Sequence, residues 1–572
     1  MTLTIIPNMN SSASSLTATA IKDVSAPNAM TPEQRRPATE LTPNAQLLLK
    51  RRYLQPNETI SEAFVRWSMG NPDYLKMLSA LDFLPNSPTL FNLGTESGGT
   101  LSACSKFNIP DSMEAIFDVG KKAGMFQKHG GGVGYVLSEL RPKGAPVTST
   151  HGKAMGPVAV MRWLHAGSKM ITQGGKRDGA QMAILSCEHP DIEEFIDSKS
   201  TPKLAKELST FNISVALTDG FMAKAIDDPD SNEAALLEKM ARNAWRTGDP
   251  GCYFIDAAER GNPTPELGKL DGTNPCAEVP LLNDETCNLS SINVANFVDS
   301  DGFLWGRLEN TVRLGVRYLD EIIDRNEFPD PAITAANLRT RKIGLGVMGW
   351  ADALCILNIH YDSTEAVKLA EDLMRFINSV ARSESNRIAE LKGNAPAFKY
   401  APWFLRNATR TCIAPTGTIS ILAGCSSGIE PHFDLEWIRI TGDGIEMAEK
   451  IEVIERSNGF VPKVSREIHW RDHINMQAAF QRYVDLAVSK TINMPNSATW
   501  EEIRDAYIYA WRLNLKGITV YRDGCRPEQV LNSLEPFPVG SAEELCPECR
   551  THLVFAEGCE SCPKCGYSAC SI

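Results

Sequence analysis

Short apolar runs alternate with longer amphipathic stretches through most of the chain. The apolar runs are VGYVL, MAILS, FNISVAL, TCIA and GITVY. Residues 307–324 and 364–390 instead carry apolar side chains at helical spacing. Buried strands that alternate with amphipathic helices are typical of an α/β fold, so we predict one large α/β domain over residues 85–531.

The two ends of the chain depart from this alternation. Residues 1–40 are rich in Ser, Thr, Asn, Ala and Pro and nearly lack aromatic residues, which predicts a disordered arm. Residues 41–84 carry apolar residues at helical spacing and predict a small helical N-terminal domain. Beyond the α/β domain, a proline-containing linker at 532–545 leads into a cysteine-rich segment at 546–572.

Composition and charge exclude several classes of protein. The chain has 572 residues, 43% hydrophobic and 22% charged, which is typical of a globular protein. Its formal net charge of -12 argues against stable nucleic-acid binding. No apolar run is long enough to span a membrane and the N-terminus does not resemble a secretory signal, so we expect a cytoplasmic location. In that reducing compartment, the 15 cysteines are expected to be metal ligands, redox groups or buried thiols.

The segment TNPCAEVPLLNDETCN, residues 273–288, brings three kinds of reactive group together. In an extended chain Asn274, Cys276 and Glu278 share one face, so an amide, a thiol and a carboxylate would converge. The prolines within the segment disfavour a regular strand or helix and predict an exposed loop. A polar loop with one buried, inert cysteine is the alternative.

The segment RTCIAPTGTIS, residues 410–420, predicts a strand that breaks at Pro415 into a turn. Such a turn can direct backbone N–H groups and hydroxyls at a phosphate, especially where a helix begins. An ordinary turn is the alternative.

The glycines of IGLGVMG, which are Gly344, Gly346 and Gly349, match the spacing G-x-G-x-x-G of dinucleotide-binding loops. The polar NLRTRK before them and the amphipathic helix after them do not fit that motif. We therefore predict a close-packed helix entrance here.

The C-terminal segment carries two C-x-x-C pairs. Cys546, Cys549, Cys562 and Cys565 have the spacing of a zinc ribbon with four thiolate ligands. Cys559 and Cys570 are left over.

Eight segments, in this order, resemble the catalytic chain of the ribonucleotide reductases, and most of all its adenosylcobalamin-dependent class. They are LPNSPTLFNLGT, LSAC, KHGGGVGYVLSELRPKG, QGGKRDGAQMAIL, NPCAE, RKIGLGVMGWAD, APTGTISILAGCSSGIEP and KGITVYRDG. The resemblance spans about residues 41–530 and recurs in the tail. It implies a ten-stranded α/β barrel made of two five-stranded half-barrels around a central finger loop, with a helical N-terminal domain and a zinc-ribbon-like tail.

The resemblance implies a role for each reactive residue. Cys276 is the residue oxidised to a thiyl radical, which takes the 3′ hydrogen of the ribose. Glu278 is the general base for the 3′-hydroxyl, and Asn274 hydrogen-bonds the ribose hydroxyls. Cys104 and Cys287 supply the reducing equivalents and end as a disulfide.

The resemblance also implies a site for a ribonucleoside di- or triphosphate, with a cradle for its phosphates. The substrate-binding residues it implies are Ser87, Ala103, Gly132, Asn274, Pro275, Cys276, Ala277, Glu278, Pro415, Thr416, Gly417, Thr418 and Ile419.

Two further stretches resemble the regulatory apparatus of the family. Asp111 and Arg141 lie where the family binds a deoxynucleoside triphosphate effector near a homodimer interface, and residues 173–181 resemble the loop that relays effector identity. From the residues alone, Asp111 would instead cap a helix.

The radical source and the reductant follow from the same resemblance. Relatives served by a separate metal-containing subunit carry two adjacent tyrosines before RDG, whereas this chain has only Tyr521 there, which favours adenosylcobalamin. A separate metal-containing radical subunit is the alternative. Cys570 is implied as a tail thiol that exchanges with thioredoxin or glutaredoxin. A zinc-ribbon nucleic-acid-binding protein is a distant alternative, disfavoured by the charge.

Overall fold

The computed structural model describes residues 41–96, 98–149, 151–173, 177–440, 446–457, 459–526 and 531–533, together with three short strands of the C-terminal segment. The predicted disordered arm, the middle of the predicted relay loop and the four predicted zinc ligands lie outside the described residues.

The α-helices are α1 (Pro43–Leu48), α2 (Ile60–Trp67), α3 (Pro72–Ser79), α4 (Ser87–Asn92), α5 (Met113–Lys128), α6 (Pro157–Ser168), α7 (Ile192–Asp197), α8 (Pro202–Glu207), α9 (Asp219–Asp227), α10 (Asn232–Thr247), α11 (Ile255–Arg260), α12 (Trp305–Arg325), α13 (Pro331–Thr340), α14 (Trp350–Ile356), α15 (Thr364–Lys392), α16 (Ile419–Ala423), α17 (Trp470–Gln481) and α18 (Trp500–Arg512).

The strands are β1 (Phe83–Pro85), β2 (Cys104–Asn108), β3 (Gly132–Val136), β4 (Pro146–Val147), β5 (Gly152–Lys153), β6 (Thr172–Gln173), β7 (Arg177–Asp178), β8 (Gln181–Ser186), β9 (Phe211–Leu217), β10 (Gly251–Phe254), β11 (Gly272–Thr273), β12 (Pro280–Leu281), β13 (Thr286–Cys287), β14 (Leu289–Asn293), β15 (Val298–Asp299), β16 (Gly302–Phe303), β17 (Gly344–Met348), β18 (Glu436–Ile440), β19 (Glu446–Lys450), β20 (Thr491–Met494), β21 (Gly517–Arg522), β22 (Leu531–Ser533), β23 (Val554–Ala556), β24 (Cys559–Ser561) and β25 (Ser568–Cys570).

Residues 41–82 are largely helical, and their buried side chains share one core with strands β1, β14 and β17. Helix α2 begins with a capping box between Thr59 and Glu62, and it buries Ala63, Phe64 and Trp67, which follow the predicted spacing. The indole N–H of Trp67 donates to the Leu90 carbonyl at 2.9 Å, which fixes the helix to the next part of the chain. Strand β1 straddles the predicted boundary at residue 84 and pairs with β14.

The predicted apolar runs lie on the central strands. Strands β2, β3, β8, β9 and β10 are parallel neighbours, and β10 pairs antiparallel with β21, which is parallel to β20. A second sheet has the order β1-β14-β17, and parallel bridges at Leu345–Thr411 and Ile413–Val488 continue it through the TCIA run. Strand β13 pairs antiparallel with β2 and stands one residue before β14, so the chain itself connects the two sheets.

Long amphipathic helices cover these strands. Helices α12 and α15 contain the predicted stretches 307–324 and 364–390, and the two helices pack against each other. Helix α15 begins at an N-cap, Ser363, whose side chain accepts from the Ala366 N–H. Among the helices the structure describes, none is long and apolar enough to cross a membrane.

The prediction for the glycine run IGLGVMG is partly wrong. Gly344 and Gly346 lie in the buried strand β17, and only Gly349 stands at a helix entrance, as the N-cap of α14 with φ of 75°. A Cβ on Gly346 would lie 2.2 Å from the carbonyl oxygen of Cys412. The glycines therefore allow two neighbouring segments to approach closely, which spacing along one segment does not reveal.

Candidate active site

Residues 272–281 form a hairpin that carries Cys276 at its turn. Gly272 pairs with Leu281, and Thr273 pairs with Pro280. The Ala277 N–H donates to the Asn274 carbonyl at 3.0 Å, and Ala277 has a φ of 63°, so residues 274–277 turn rather than continue an extended strand. The shared face predicted from strand alternation is replaced by a tight turn.

This hairpin lies inside the α/β domain, so the prediction of an exposed loop is wrong. Asn274 and Glu278 are buried, and Cys276 is only partly exposed. The Asn212 side-chain amide, on β9, donates to the Pro275 carbonyl at 3.0 Å, and the Ala487 N–H donates to the Glu278 carbonyl at 2.8 Å. The prolines prevent these backbone polar groups from pairing in a regular sheet, so neighbouring segments supply their hydrogen bonds. This pairing allows the hairpin to be buried.

An ion pair between a buried lysine and a partly exposed aspartate holds the base of the hairpin. The Lys106 ammonium, on β2, contacts the carboxylate of Asp271 and the side-chain oxygen of Asn108. The Asn108 amide also donates to Asp271 at 2.7 Å. Burial lowers the pKa of Lys106, and the Asp271 charge opposes that shift.

Cys104 and Cys287 are directly opposed on the paired strands β2 and β13. The Ala103 N–H donates to the Cys287 carbonyl at 3.1 Å, and the Asn274 side-chain amide reaches the Cys104 sulfur at 3.6 Å. Burial raises the pKa of Cys287 well above its usual value, with further contributions from Cys104 and the Glu278 charge. Cys287 is therefore a protonated thiol at neutral pH, and Asn274 links the pair to the hairpin.

A third buried thiol, Cys412, was missed by the sequence analysis. Its N–H donates to the Leu345 carbonyl at 3.2 Å, and a Cβ on Gly344 would lie 3.1 Å from its sulfur. Burial raises the pKa of Cys412, and the Glu278 charge and Cys104 raise it further. The sequence signal for Cys412 is a thiol within the otherwise apolar TCIA run, just before the predicted turn.

The predicted turn after Pro415 is present, and it leads into the short helix α16. Thr416 has a φ of 51°, and its hydroxyl oxygen accepts from the Gly428 N–H at 2.7 Å. Thr418 is the N-cap of α16. A Cβ on Gly417 would meet nothing within 4 Å, so this backbone faces open space.

A cavity of about 910 Å³ opens beside this turn, near the upper limit for small-molecule pockets. Pro415, Gly417 and Ser420 line one wall, and strands β18 and β19 line another. The pattern of apolar positions along the sequence does not predict these two strands.

The cavity wall also contains a buried histidine and carboxylate. His432 Nε2 lies 3.2 Å from an Asp352 oxygen. Burial lowers the pKa of His432, and the Asp352 charge opposes that shift. The two residues are 80 positions apart in the sequence, so only the fold brings them together.

Two other predicted substrate residues have clear structural positions. A Cβ on Gly132 would lie 3.1 Å from the Pro275 ring and 3.4 Å from the Cys104 sulfur, so Gly132 adjoins the hairpin tip. Ser87 is the first residue of α4, and its hydroxyl is 2.9 Å from the Tyr53 hydroxyl.

The predicted effector residues contact each other. Arg141 Nε donates to Asp111 at 2.6 Å, and the Arg141 backbone N–H donates to the same carboxylate at 3.1 Å. The alternative in which Asp111 caps helix α5 is wrong, because the Ser112 hydroxyl accepts from the Ala115 N–H at 3.1 Å.

Helices α5 and α6 expose large apolar side chains next to the Asp111–Arg141 pair. Met113, Phe117 and Trp163 are exposed, and the rings of Phe117 and Trp163 meet edge to face at 5.1 Å. Exposed apolar side chains on neighbouring helices are typical of an interaction surface.

Comparison with known proteins identifies the family. The model of the ribonucleotide reductase barrel domain matches residues 102–232, 230–404 and 405–521. The chain therefore belongs to the ribonucleotide reductase family, and the resemblance seen in its motifs is confirmed.

Individual relatives are similar over most of the chain. A protein of Thermoplasma acidophilum named vitamin B12-dependent ribonucleoside-diphosphate reductase is 43% identical, over 83% of this chain and 67% of its own length. A protein of Mycobacterium tuberculosis with the same name is 41% identical, over 82% of this chain and 74% of its own length. The solved class Id ribonucleotide reductase alpha subunit of Actinobacillus ureae has a TM-score of 0.74 at 22% identity, covering 86% of this chain and 98% of that one, which shows the shared fold.

Proposed function

We propose that this chain is a ribonucleoside-diphosphate reductase that converts ribonucleotides to 2′-deoxyribonucleotides by radical chemistry with adenosylcobalamin. One observation carries the proposal: Cys276 stands at the turn of an interior hairpin whose Asn274 touches Cys104, and Cys104 is directly opposite Cys287. The names of the relatives from Thermoplasma and Mycobacterium support the activity and the cofactor.

The proposed architecture is a ten-stranded barrel of two five-stranded half-barrels. Parallel strands β2, β3, β8, β9 and β10 form one half, and β14, β17, the 411–413 segment, β20 and β21 form the other. The antiparallel pairs β10–β21 and β13–β2 support closure between the halves. The hairpin at 272–281 is the proposed central finger loop.

The proposed chemistry assigns one task to each of the central groups. The Cys276 thiyl radical takes the 3′ hydrogen atom of the ribose, and Glu278 accepts the proton of the 3′-hydroxyl. Asn274 orients the ribose hydroxyls. The 2′-hydroxyl leaves as water.

The Cys104–Cys287 pair balances the reaction. Its two thiols provide two electrons and two protons and become one disulfide, while the 3′ hydrogen returns to carbon and the radical returns to Cys276. Burial raises the pKa of Cys287, so this thiol holds its proton at neutral pH.

The cavity beside the Pro415 turn fits the proposed ligands. Its volume and its open backbone at Gly417 suit substrate phosphates held by N–H groups, with Thr416, Thr418 and Ile419 completing the cradle. The other wall of the cavity, formed by β18 and β19, is proposed to contact the cofactor. When bound, adenosylcobalamin would supply an organic radical by homolysis of its cobalt–carbon bond.

A regulatory site and a subunit interface are proposed at helices α5 and α6. The Asp111–Arg141 pair is a candidate site for a deoxynucleoside triphosphate, in which the effector would replace a contact that is now made within the chain. The exposed apolar patch on α5 and α6 supports a homodimer interface beside it.

The tail is proposed to bind zinc and to receive electrons from thioredoxin or glutaredoxin. The support is the spacing of the two C-x-x-C pairs and the three-stranded antiparallel sheet β23-β24-β25 that lies between and after them.

Cofactor dependence tests the proposal. Purified protein with a dithiol and a ribonucleoside diphosphate is expected to form deoxyribonucleotide only when adenosylcobalamin is added. Activity that requires an added diiron or dimanganese subunit, with no response to adenosylcobalamin, would contradict the cofactor while leaving the reaction intact.

A further inference from the structure

A second cavity, of about 410 Å³, has no lining residue in common with the catalytic cavity. It is bounded by helix α15, by residues 403–410 and by the chain just before strand β21. The proposed reduction of ribonucleotides assigns no task to the residues that line it. Basic side chains and exposed aromatic rings stand together in its wall.

We propose that this second cavity binds a nucleoside monophosphate, with the basic side chains holding the phosphate and the aromatic rings stacking on the base. The proposal goes beyond ribonucleotide reduction and does not depend on it, because the site is separate from the Cys276 hairpin.

Arg410 is a buried basic residue of this cavity. Its backbone N–H and its Nη2 both donate to the Asp485 carboxylate, at 2.7 and 2.8 Å. Its Nε atom is buried without a hydrogen-bond partner. The guanidinium therefore has donor capacity that the fold does not use.

Lys516 is the second buried basic residue. Its ammonium donates to the Asp485 and Leu486 carbonyls at 2.7 and 2.5 Å, and since an ammonium has three N–H donors, one remains. A Cβ on Gly261 would lie 2.8 Å from Lys516 Nζ, so the glycine leaves space beside the ammonium. Burial lowers the pKa of Lys516 to about 8, with the Asp485 charge opposing the shift and the Lys342 charge adding to it. The side chain is therefore mainly protonated at neutral pH.

Arg382, on helix α15, supplies the third positive charge. It is exposed at the cavity wall and forms no ion pair within the part of the chain that the structure describes. The lining side chains thus carry three positive charges and one negative charge, that of Asp485, which leaves a net charge of +2. In a chain whose net charge is -12, this local excess of positive charge favours an anionic ligand.

Two aromatic rings stand beside these cations. Trp403 and Phe404 line the cavity and are 61% and 54% exposed. Asn394 fixes their backbone: its side-chain amide donates to the Trp403 carbonyl at 3.0 Å, and its side-chain oxygen accepts from the Leu405 N–H at 2.9 Å. Aromatic side chains held in this way can stack on any nucleobase, because every base has a π-face.

The size and charge of the cavity favour a nucleoside monophosphate. Its volume of about 410 Å³ lies in the lower part of the range for small-molecule sites, roughly 300–1,000 Å³. A phosphate monoester carries a charge of about -1.5 to -2 at pH 7, which balances the net charge of the lining residues. The aromatic rings call for a planar group in addition to the phosphate, and a nucleotide supplies both.

The test variants are confined to exposed side chains. Lys516 also holds the carbonyls of residues 485–486, and the next residue, Ala487, donates its N–H to the catalytic hairpin. A change at Lys516 would therefore disturb the hairpin as well as the cavity. Arg382 and Trp403 are exposed and lie outside that segment, so their replacement tests the cavity alone.

Calorimetric titration of the full-length chain with AMP measures the binding. The wild type should bind AMP, and Arg382→Gln and Trp403→Ala should each weaken binding about 10-fold or more, because one removes a phosphate contact and the other a stacking surface. Arg375→Gln, on the same helix, and Tyr400→Ala are the matched controls, since both residues are exposed and neither lines the cavity. Both controls should bind AMP as tightly as the wild type.

Photolabelling with an azido analogue of AMP locates the bound nucleotide, and the label should appear on the peptide 400–410. Inorganic phosphate and adenosine should each bind at least about 10-fold more weakly than AMP, because each supplies only part of the contacts.

Four results would overturn the assignment. They are no binding of AMP to the wild type, unchanged affinity in Arg382→Gln or Trp403→Ala, label confined to the catalytic cavity, and binding of phosphate or adenosine as tight as that of AMP. Because none of these measurements needs product formation, a failure of the proposed reductase function would leave them unaffected.

Discussion

At the scale of single residues, the thiols differ because of their neighbours. Cys104 and Cys287 face each other across a strand pair, and Cys412 lies near them on a third segment, with burial raising the pKa of both Cys287 and Cys412. Of these three thiols, only Cys104 and Cys287 are directly opposed on paired strands, where a disulfide could form. We therefore assign the reducing equivalents to this pair and a packing role to Cys412.

Single-turnover assays of pre-reduced protein test this assignment. Cys104→Ser and Cys287→Ser are expected to form no deoxyribonucleotide, because one thiol cannot complete the two-electron reduction. Cys412→Ala should form as much product as the wild type and cost about 1 kcal/mol of stability from the lost buried sulfur. A Cys287–Cys412 disulfide after turnover in the wild type, found by peptide mapping, would contradict the assignment.

Candidate site residues could be proposed from the sequence where the chemistry is local in sequence. Asn274, Cys276 and Glu278 stood out by spacing alone, but the prolines that indicated a loop could not indicate that the loop is buried. The contact between Asp352 and His432, and the position of Cys412, depend on which strands become neighbours. Such contacts are a property of topology, so a single sequence could not reveal them.

At the scale of elements, the hairpin at 272–281 depends on one glycine in the neighbouring strand β3 and on one glycine of its own. A Cβ on Gly134, in β3, would lie 1.9 Å from the Thr273 carbonyl oxygen, and one on Gly272 would lie 2.4 Å from a Val136 methyl group. Because these two glycines have no side chain, the backbone of the hairpin can lie inside the α/β domain.

Gly134→Ala is therefore expected to displace the hairpin without unfolding the domain. The overlap should cost roughly 1–3 kcal/mol of stability. Product formation should fall about 100-fold or more, since a shift of about 1 Å misplaces the reacting groups. The measurement is deoxyribonucleotide formation together with the apparent Tm.

Gly306→Ala is the matched control, because a Cβ there, in the first turn of α12, would meet nothing within 4 Å. It should leave both activity and Tm close to the wild type. Full activity in Gly134→Ala would show that the hairpin does not need its observed position.

Several long elements were predictable from their periodicity. Helices α12 and α15 and strands β3, β8, β9 and β21 lie where the apolar patterns place them. Strand β17 was missed because its glycines have no side chains that could contribute to an apolar pattern. The glycines instead allow the 411–413 segment to pack closely against the strand. Strands β18 and β19 were missed because they mix charged and apolar residues at the wall of the cavity.

At the scale of the whole molecule, buried histidines make stability depend on pH. His473 is buried, and burial together with the Lys490 charge holds its pKa well below the usual value, while a contact with the Ser465 carbonyl opposes that shift. A group whose pKa is lowered in the folded state contributes stability that is present above its unfolded pKa and lost as the pH falls.

The apparent Tm is therefore expected to fall as the pH drops from about 7.5 to about 5.5, through the unfolded histidine pKa of about 6.5. His473→Gln, whose amide can still donate to Ser465, should reduce the slope of stability against pH by up to about one proton. An unchanged slope in His473→Gln would show that His473 does not titrate on unfolding.

If Cys276 carries the radical step of ribonucleotide reduction, product formation by pre-reduced protein depends on its thiol. Pre-reduced protein is mixed with adenosylcobalamin and a ribonucleoside diphosphate without external reductant, and the deoxyribonucleotide formed is counted per chain. The wild type should form at least about one per chain, because the active-site dithiol supplies one two-electron reduction and reduced tail thiols can supply a second. Cys276→Ser should form none while keeping the wild-type Tm, whereas product from Cys276→Ser at the wild-type level would contradict the account.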